Sequence, residues 1–387
     1  MSFRRKIEQE IREHGPIPFS RYMAMCLYDP ALGFYSRNAE QFGKAGDFYT
    51  SSDVHAVYGR LLARQFEEMW RVLDRPSEIE IVEFGPGRGL FAQDVLDWSE
   101  KKFPEFFAAQ HYRLVESSPS LRTKLQQTLQ RHIEVGKASL GNEADTDPAA
   151  RASQGRKTPD LATPTIVFAN EFFDALPVEI ISAEGQLHVD GKDGKFIETF
   201  LPPTPEALQY LDQYSVHPEP GERVEASLES LHAMNRICAS LRRGFIIAVD
   251  YGYSRAEQLE GRHRDTVMTY RQHSASPNPY EAPGEQDITA HVNFTALAAT
   301  AENNGLQPQP LLTQSQFLMG IGEATQFADA FAECRLPQEH AKVALQLKHL
   351  VTPSGMGETF HVLVASKNVD PARVSALSGL SFAKSRL

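Results

Sequence analysis

The sequence predicts an α/β protein built on a mostly parallel sheet with helices on both faces. From about residue 76 onward, short apolar strands alternate with helical patterns, as expected when crossover helices cover both faces of a sheet. Residues 245–249 are entirely apolar and precede Asp250, which is typical of a strand buried on both faces. The 387 residues are 41% hydrophobic and 23% charged, so the chain is predicted to be globular rather than disordered.

Each element is predicted from a local pattern. Phe3, Ile7 and Ile11 recur at helical spacing until Gly15-Pro16 ends the helix. Further helices are predicted near 54–73, 90–98, 119–130, 224–241, 294–303 and 338–350. Core strands are predicted at 78–84, 111–116, 165–170, 245–250 and 359–365, and strands of an antiparallel ribbon at 177–181, 187–189 and 195–200.

These elements predict a two-part organisation. Residues 1–75 are predicted to form an N-terminal helical and loop cap, and residues 76–387 the α/β core. Within the core, residues 139–164 contain no aromatic residue and are interpreted as a mobile linker. The ribbon at about 178–222 and the stretch at about 252–286, predicted to be loop-like from its prolines, interrupt the parallel pattern, so both are interpreted as accessory insertions.

Charge and composition exclude several classes of protein. Thirty-nine Lys and Arg face 50 Asp and Glu, a net charge of −11, and no long basic stripe offers an extended nucleic-acid surface. Cys26, Cys238 and Cys334 are far apart, which argues against a disulfide scaffold, and no His or Cys spacing suggests a metal site. No apolar run is long enough for a bilayer, and we expect a cytoplasmic protein without a membrane span.

The strongest local motif is the glycine-rich turn after the first core strand. Gly85, Gly87 and Gly89 are spaced Gly-x-Gly-x-Gly, which is neither a dinucleotide fingerprint nor a phosphate-binding loop. Glu83 precedes them and favours a cationic ligand over a pyrophosphate. S-adenosylmethionine (SAM) carries an ammonium and a sulfonium and fits this pattern. A dinucleotide site and a plain tight turn remain the alternatives.

Polar residues at the ends of two further strands extend the predicted cofactor site. Glu116 ends the second strand, where a ribose-binding carboxylate lies in such folds, although it could also be a solvated acid. Asn170 ends the third strand at the same edge of the sheet. The Gly- and aromatic-rich loop that contains Gly46-Asp47-Phe48 and Thr50 is predicted to close over SAM as a lid.

Acidic residues near the third strand are the candidates for substrate binding. Glu171 and Asp174 follow that strand directly, and two acids flanked by phenylalanines can hold a cationic substrate. Asp174 could instead cap a helix. Asp287 and His291 are four residues apart, so they would share a face if this segment were helical, although a single His is often a structural hydrogen-bonding residue.

The sequence also resembles the MidA-type SAM-dependent methyltransferases, whose eukaryotic members are mitochondrial arginine methyltransferases that assist assembly of respiratory complex I. The resemblance covers nearly the whole chain. It rests on these blocks in chain order: Pro16-Ile17-Pro18-Phe19, Tyr22-Met23, Leu27-Tyr28-Asp29-Pro30, Gly33-Phe34-Tyr35, Gly46 to Ser51, Glu83 to Gly89, Ala169 to Pro177, Val249 to Gly252, Asp287 to Val292 and Pro353 to Gly357. The sequence departs from the family at Ser52-Asp53, where Pro-Glu is usual, and at Asn293, where Asp is usual.

The resemblance implies a Rossmann-like seven-stranded SAM-methyltransferase fold and protein arginine N-methylation, with symmetric dimethylation in the mitochondrial branch. It implies a protein substrate, with a respiratory complex I subunit as the expected target. Glu171 and Asp174 are then the candidates to hold the guanidinium, and Asp287 and His291 the second candidates to remove a proton. The alternatives are methylation of a small molecule or RNA, and a non-catalytic assembly chaperone. The target, the number and symmetry of methyl groups and the oligomeric state are not encoded in these patterns.

Overall fold

The computed structural model describes residues 2–37, 56–141, 163–271 and 274–386. The strands in these ranges are β1 (Ile17–Pro18), β2 (Ile79–Phe84), β3 (Gln110–Val115), β4 (Ala138–Gly141), β5 (Thr165–Asn170), β6 (Glu179–Ser182), β7 (Gly185–Lys192), β8 (Lys195–Leu201), β9 (Arg223–Ala226), β10 (Gly244–Tyr253), β11 (Met268–Arg271), β12 (Ser274–Ser276), β13 (Asp287–Thr289), β14 (Val292–Asn293), β15 (Gln307–Pro308), β16 (Leu312–Thr313) and β17 (Phe360–Lys367).

The helices lie before, between and after these strands. They are α1 (Phe3–His14), α2 (Phe19–Tyr28), α3 (Phe34–Arg37), α4 (Ala56–Val72), α5 (Leu90–Lys102), α6 (Pro104–Ala109), α7 (Pro119–Thr128), α8 (Gln130–Glu134), α9 (Pro205–Tyr214), α10 (Leu228–Ser240), α11 (Arg255–Leu259), α12 (Phe294–Asn303), α13 (Gln314–Glu323), α14 (Ala328–Phe331), α15 (Pro337–Val351) and α16 (Pro371–Val374), with a final 3-10 helix (Ser378–Arg386). Within the described ranges, none of these helices is long and apolar enough to cross a bilayer.

The central sheet confirms the predicted fold class. Seven strands follow one another across it in the order β15-β17-β10-β5-β2-β3-β4, and the short strands β14 and β16 pair with β10 and β17. The five strands from β4 to β10 are parallel, and β17 is antiparallel to β10. The central sheet is therefore mostly parallel, as predicted, with nine strands in the described residues, seven of them along one continuous path.

The chain order reverses between β2 and β5. From β2 the chain builds outward to β3 and β4, and it then returns to place β5 on the other side of β2. In open α/β sheets, ligands bind outside the carboxyl ends of the strands at such a reversal. The topology therefore places the turns after β2, β3 and β5 around one crevice.

Apolar helices cover both faces of the sheet. On one face, Phe66 of α4 and Phe91 of α5 pack against Phe168 of β5, and the rings of Phe91 and Phe168 stack with centroids 4.5 Å apart. On the other face, Ile237 of α10 and Leu297 of α12 belong to a second buried cluster. Each such side chain contributes roughly 1.5–3 kcal/mol by burial, which fixes the sheet as a rigid support for the turns at its edge.

The accessory region is a separate antiparallel sheet joined to the N-terminal segment. Its strand order is β1-β7-β6-β9, with β8 on the other edge of β7. Phe3 and Ile7 of α1 share a buried cluster with Leu187 and Val189 of β7. Helix α4, in contrast, packs on the central sheet. The domain boundary at residue 75 stays a prediction.

Four local predictions differ from the structure. The helix predicted near 224–241 begins only at Leu228, because Arg223–Ala226 pair with β6 as strand β9. The predicted linker 139–164 begins within β4, because β3 offers a free parallel edge to residues that look unstructured in isolation. The stretch 252–286 is not only loop: it contains α11, whose capping box joins Ser254 and Glu257, and the strands β11 and β12. Asp287 lies in strand β13, which pairs with β11, so Asp287 and His291 do not share a helix.

Candidate active site

The glycine turn after β2 presents two different glycine environments. Gly87 has φ +53°, and a Cβ there would meet no described atom within 4 Å. Gly89 has φ +79° where α5 begins, and a Cβ there would lie 2.6 Å from Cδ2 of Leu125. Gly87 therefore leaves open space at the crevice, whereas Gly89 permits close packing of the turn against α7.

Two buried carboxylates face this turn. Glu83 accepts a hydrogen bond from the Tyr112 hydroxyl over 2.9 Å, and burial raises the pKa of Glu83 to about 8 despite that bond. Burial also raises the pKa of Glu116 to about 7, although the Ser118 backbone N–H donates to its Oε1 over 2.8 Å. Because desolvation disfavours both charges, a ligand that brings positive charge or hydroxyl donors would stabilise them.

The end of β5 is held in an unusual conformation. The Tyr58 hydroxyl donates to Oδ1 of Asn170 over 2.8 Å, and Nδ2 of Asn170 donates to Oε1 of Glu171 over 3.0 Å. Glu171 has φ +51°, in the left-handed region that a non-glycine residue adopts at a cost of about 1–2 kcal/mol. Its backbone N–H donates to the carbonyl of Val249 over 2.9 Å. The surrounding structure therefore imposes the position of Glu171.

Asp250, which lies within β10 directly after its apolar run, anchors the loop that follows Glu171. Its Oδ2 accepts hydrogen bonds from the backbone N–H groups of Phe172, Phe173 and Asp174, over 3.2, 3.0 and 3.3 Å. Asp250 is fully buried, and burial together with the charges of Asp174 and Glu171 raises its pKa well above its ordinary value. Three converging donors compensate for much of the cost of burying this carboxyl.

One cavity of about 690 Å³ joins these features. Six of the residues predicted to bind cofactor or substrate line it: Glu83, Gly85, Gly87, Glu116, Asn170 and Glu171. Two buried acids near an open glycine turn fit the ammonium and ribose of SAM, the group that the sequence predicts. From Glu171 the cavity continues between α2 and α10.

Gly89, Asp174 and Asp287 do not line the cavity. Asp174 is buried and accepts a hydrogen bond from the Tyr251 hydroxyl, and burial raises its pKa to about 6. Asp287 is also buried and accepts a hydrogen bond from the Tyr35 hydroxyl over 2.9 Å. The structure therefore places both acids behind the cavity wall, and their predicted roles in catalysis stay predictions.

His291 lies outside the cavity wall as well. Its Nδ1 is 3.1 Å from Nδ1 of His263, and burial, with the nearby His263 and His361, lowers the pKa of His291 to about 4. Its imidazole is therefore neutral at ordinary pH. Among the residues that the structure describes, these histidines do not form a group that could hold a metal ion.

Asn293, where the family pattern has Asp, has a structural role. Its Oδ1 accepts from the backbone N–H of Ala296 over 3.1 Å and caps α12, and its Nδ2 donates to the carbonyl of Tyr214 over 2.9 Å. The predicted lid residues Gly46, Asp47, Phe48 and Thr50 lie outside the described residues.

No role was assigned from the sequence to the residues whose hydrogen bonds position the side chains of the site. Tyr58 and Tyr112 have no local motif, because a buried tyrosine in a helix or strand looks like any core aromatic. Ser118 caps α7 and positions Glu116, and its place before Pro119 was a detectable capping signal. Asp250 was detectable as the acid that directly follows the apolar run 245–249.

Comparison with known proteins agrees with this geometry. A family model of S-adenosyl-L-methionine-dependent methyltransferases matches residues 61–311. The mitochondrial protein arginine methyltransferase NDUFAF7 homolog of Drosophila melanogaster is 28% identical over 98% of this chain and 88% of its own length. The protein arginine methyltransferase NDUFAF7 of Homo sapiens is 25% identical over 92% of this chain and 81% of its own length.

A solved structure shows the same fold with a related ligand. A Burkholderia thailandensis protein, crystallised with S-adenosyl-homocysteine, superposes with a TM-score of 0.79 at 26% identity, covering 98% of this chain and 94% of its own. The family model spans well over half of the present chain. With this match, a mostly parallel central sheet and two acids beside a glycine turn, the chain belongs to the family of S-adenosyl-L-methionine-dependent methyltransferases.

Proposed function

We propose that the protein transfers a methyl group from SAM to an arginine side chain of a protein substrate. The observation that carries this proposal is Glu171, a carboxylate at the end of β5 that lines the cavity together with Glu83 and Glu116. The relatives named protein arginine methyltransferases cover nearly the whole chain and support the same substrate class.

The residues suit a guanidinium acceptor. A guanidinium is charged at every ordinary pH and presents several N–H donors in one plane. A carboxylate such as Glu171 can accept two of these donors and hold the positive charge on the nitrogens that do not react. The ring of Phe172 lies beside Gly85: a Cβ built on Gly85 would be 3.2 Å from that ring. The ring therefore covers the site next to Glu171. Less water there strengthens the ion pair.

SAM supplies a methyl group on a sulfonium, and the protein must align the acceptor nitrogen with it. Transfer forms a nitrogen–carbon bond, breaks the sulfur–carbon bond and releases one proton from the nitrogen. Positioning of the acceptor contributes much of the rate enhancement in such a reaction. Asn170 and Asp250 hold Glu171 and its loop from two sides, so the acid is placed before the substrate arrives.

The family resemblance adds a finer proposal about the target. We propose a respiratory complex subunit as the first target class to test, because the resemblance implies a role in assembly of respiratory complex I. Methylation of RNA or a small molecule and non-catalytic assistance are the competing outcomes.

Transfer of tritium from labelled SAM into a cell lysate tests the proposed function. We expect a labelled protein band, and mass spectrometry should place the methyl group on arginine. Gly87→Val serves as the control for a lost cofactor site. Label found only in RNA or small molecules would contradict a protein substrate. Absence of any label, with SAM binding intact, would favour the non-catalytic role.

A further inference from the structure

The cavity extends beyond the cofactor motifs into a second region, here called the outer lobe. The outer lobe is lined by α2, α10 and the loop that follows Glu171, through these residues: Ser20, Arg21, Ala24, Tyr28, Ala175, Leu176, Pro177, Glu229 and Arg236. None of these residues belongs to the turns after β2 and β3, so the outer lobe lies on the substrate side of Glu171.

The floor of the outer lobe is apolar and fixed. Ala24, Tyr28, Leu176 and Pro177 line it and are only partly buried, so their apolar surface remains available to a ligand. The Tyr28 hydroxyl donates to the carbonyl of Ala175 over 2.8 Å, which ties α2 to the Glu171 loop. An apolar floor of this kind suits the aliphatic part of an arginine side chain and the neighbouring residues of a peptide.

The rim of the outer lobe carries charged side chains, and these differ in whether a neighbouring side chain of opposite charge pairs with them. Arg21 donates through Nε and Nη2 to Oε1 of Glu10, over 3.0 and 2.8 Å. Glu229 lies 3.3 Å from Nδ1 of His232. Arg236 is exposed and, among the described residues, has no hydrogen-bonding or ion-pair partner. Among the described residues that line the outer lobe, Arg236 is therefore the cation without a paired anion, and Glu229 is an anion with only a histidine beside it.

We propose that the outer lobe binds the polypeptide segment around the acceptor arginine and that Arg236 selects an acidic residue in that segment. This inference rests on the proposed function and names its substrate more closely. The acceptor guanidinium would pair with Glu171, and a carboxylate elsewhere in the segment would pair with Arg236. Opposite charges at the two ends orient the peptide, because the reversed orientation places like charges together.

Synthetic peptides with one arginine, flanked by glutamate, serine or lysine, test this proposal. We expect a kcat/KM about fivefold higher for the glutamate-flanked than for the lysine-flanked peptide, the effect of one exposed ion pair. Arg236→Glu should reverse the preference, and added salt should reduce it in both proteins. The affinity for S-adenosyl-homocysteine should be unchanged in Arg236→Glu, which shows that the variant folds.

Arg242→Glu is the matched control, because Arg242 is exposed just after α10 and does not line the cavity. We expect the control to keep the wild-type preference. If the wild type methylates all three peptides alike, or if Arg236→Glu keeps the wild-type preference, the role of Arg236 is refuted and the proposed function stands. If no arginine peptide and no protein arginine is methylated, both proposals fail.

Discussion

Oδ2 of Asp250 accepts a hydrogen bond from the backbone N–H of Phe173 over 3.0 Å, although the two residues are 77 positions apart. The same oxygen also accepts from Phe172 and Asp174. One carboxylate of β10 therefore fixes the loop after β5, which places Glu171 at the cavity.

Asp250→Asn should slow methyl transfer more than it weakens SAM binding. An amide is a weaker acceptor, and hydrogen bonds to charged groups contribute about 1.5–3 kcal/mol each. We expect the rate to fall about tenfold or more, with SAM affinity within about threefold of wild type. Hydrogen exchange of residues 171–176 should become faster. Asp370→Asn is the control, since Asp370 is exposed and also accepts a backbone N–H at a helix cap. Unchanged exchange in Asp250→Asn would contradict the anchoring role.

Gly87→Val and Gly89→Val should separate binding from stability. A valine at either glycine is strained by the positive φ, +53° at Gly87 and +79° at Gly89. At Gly87 the Cβ position is open, so we expect Gly87→Val to lose SAM affinity with only the moderate loss of stability that backbone strain causes. Gly89→Val should lower the free energy of unfolding more, because its Cβ would also lie 2.6 Å from Cδ2 of Leu125. Thermal unfolding and calorimetric SAM titration distinguish the two. SAM binding by Gly87→Val with wild-type affinity would remove the turn from the cofactor site.

The raised pKa values of Glu83 and Glu116 predict two opposite pH dependences. Each acid binds its proton more tightly in the folded than in the unfolded protein, so the stability of the ligand-free protein should fall as pH rises from about 4.5 towards 8. SAM affinity should rise over the upper part of this range, because a cationic ligand favours the ionised acids. Binding should therefore release protons.

Calorimetry in buffers of different ionisation enthalpy measures that proton release, and urea unfolding at several pH values measures the stability. Glu83→Gln should release fewer protons and show a flatter pH dependence of stability. Equal proton release in Glu83→Gln and wild type would show that Glu83 does not face the ligand's charge.

Glu171→Gln tests the substrate acid directly. The substitution preserves size and shape, so SAM affinity should stay nearly intact. Methyl transfer should fall by about a hundredfold or more, because an orienting charge is lost. Single-turnover rates and SAM titrations separate the two effects. A parallel loss of SAM affinity and methyl-transfer rate would assign Glu171 to the cofactor site. If neither falls, Asp287 is the next residue to test.

Many of the residues that line the cavity were predictable from sequence, for a physical reason. Parallel strands have their carboxyl ends at one edge of the sheet, so residues that directly follow β2, β3 and β5 must lie near one another. The sequence shows these strands as apolar runs, and Glu83, Glu116 and Asn170 mark their ends. The ends of these strands and the position of the glycine turn are therefore predictable from local patterns, whereas the order of the strands in the sheet is seen only in the structure.

The tertiary structure decided which acids reach the cavity. Asp174 is three residues beyond Glu171, yet it is directed into the protein towards Tyr251, while Glu171 lines the cavity. β4 likewise forms because β3 offers it an edge, not because its own residues favour a strand. Side-chain direction in a loop depends on contacts from distant parts of the chain, here Asp250. Local sequence determines where a strand ends, and long-range hydrogen bonds determine where the next side chains point.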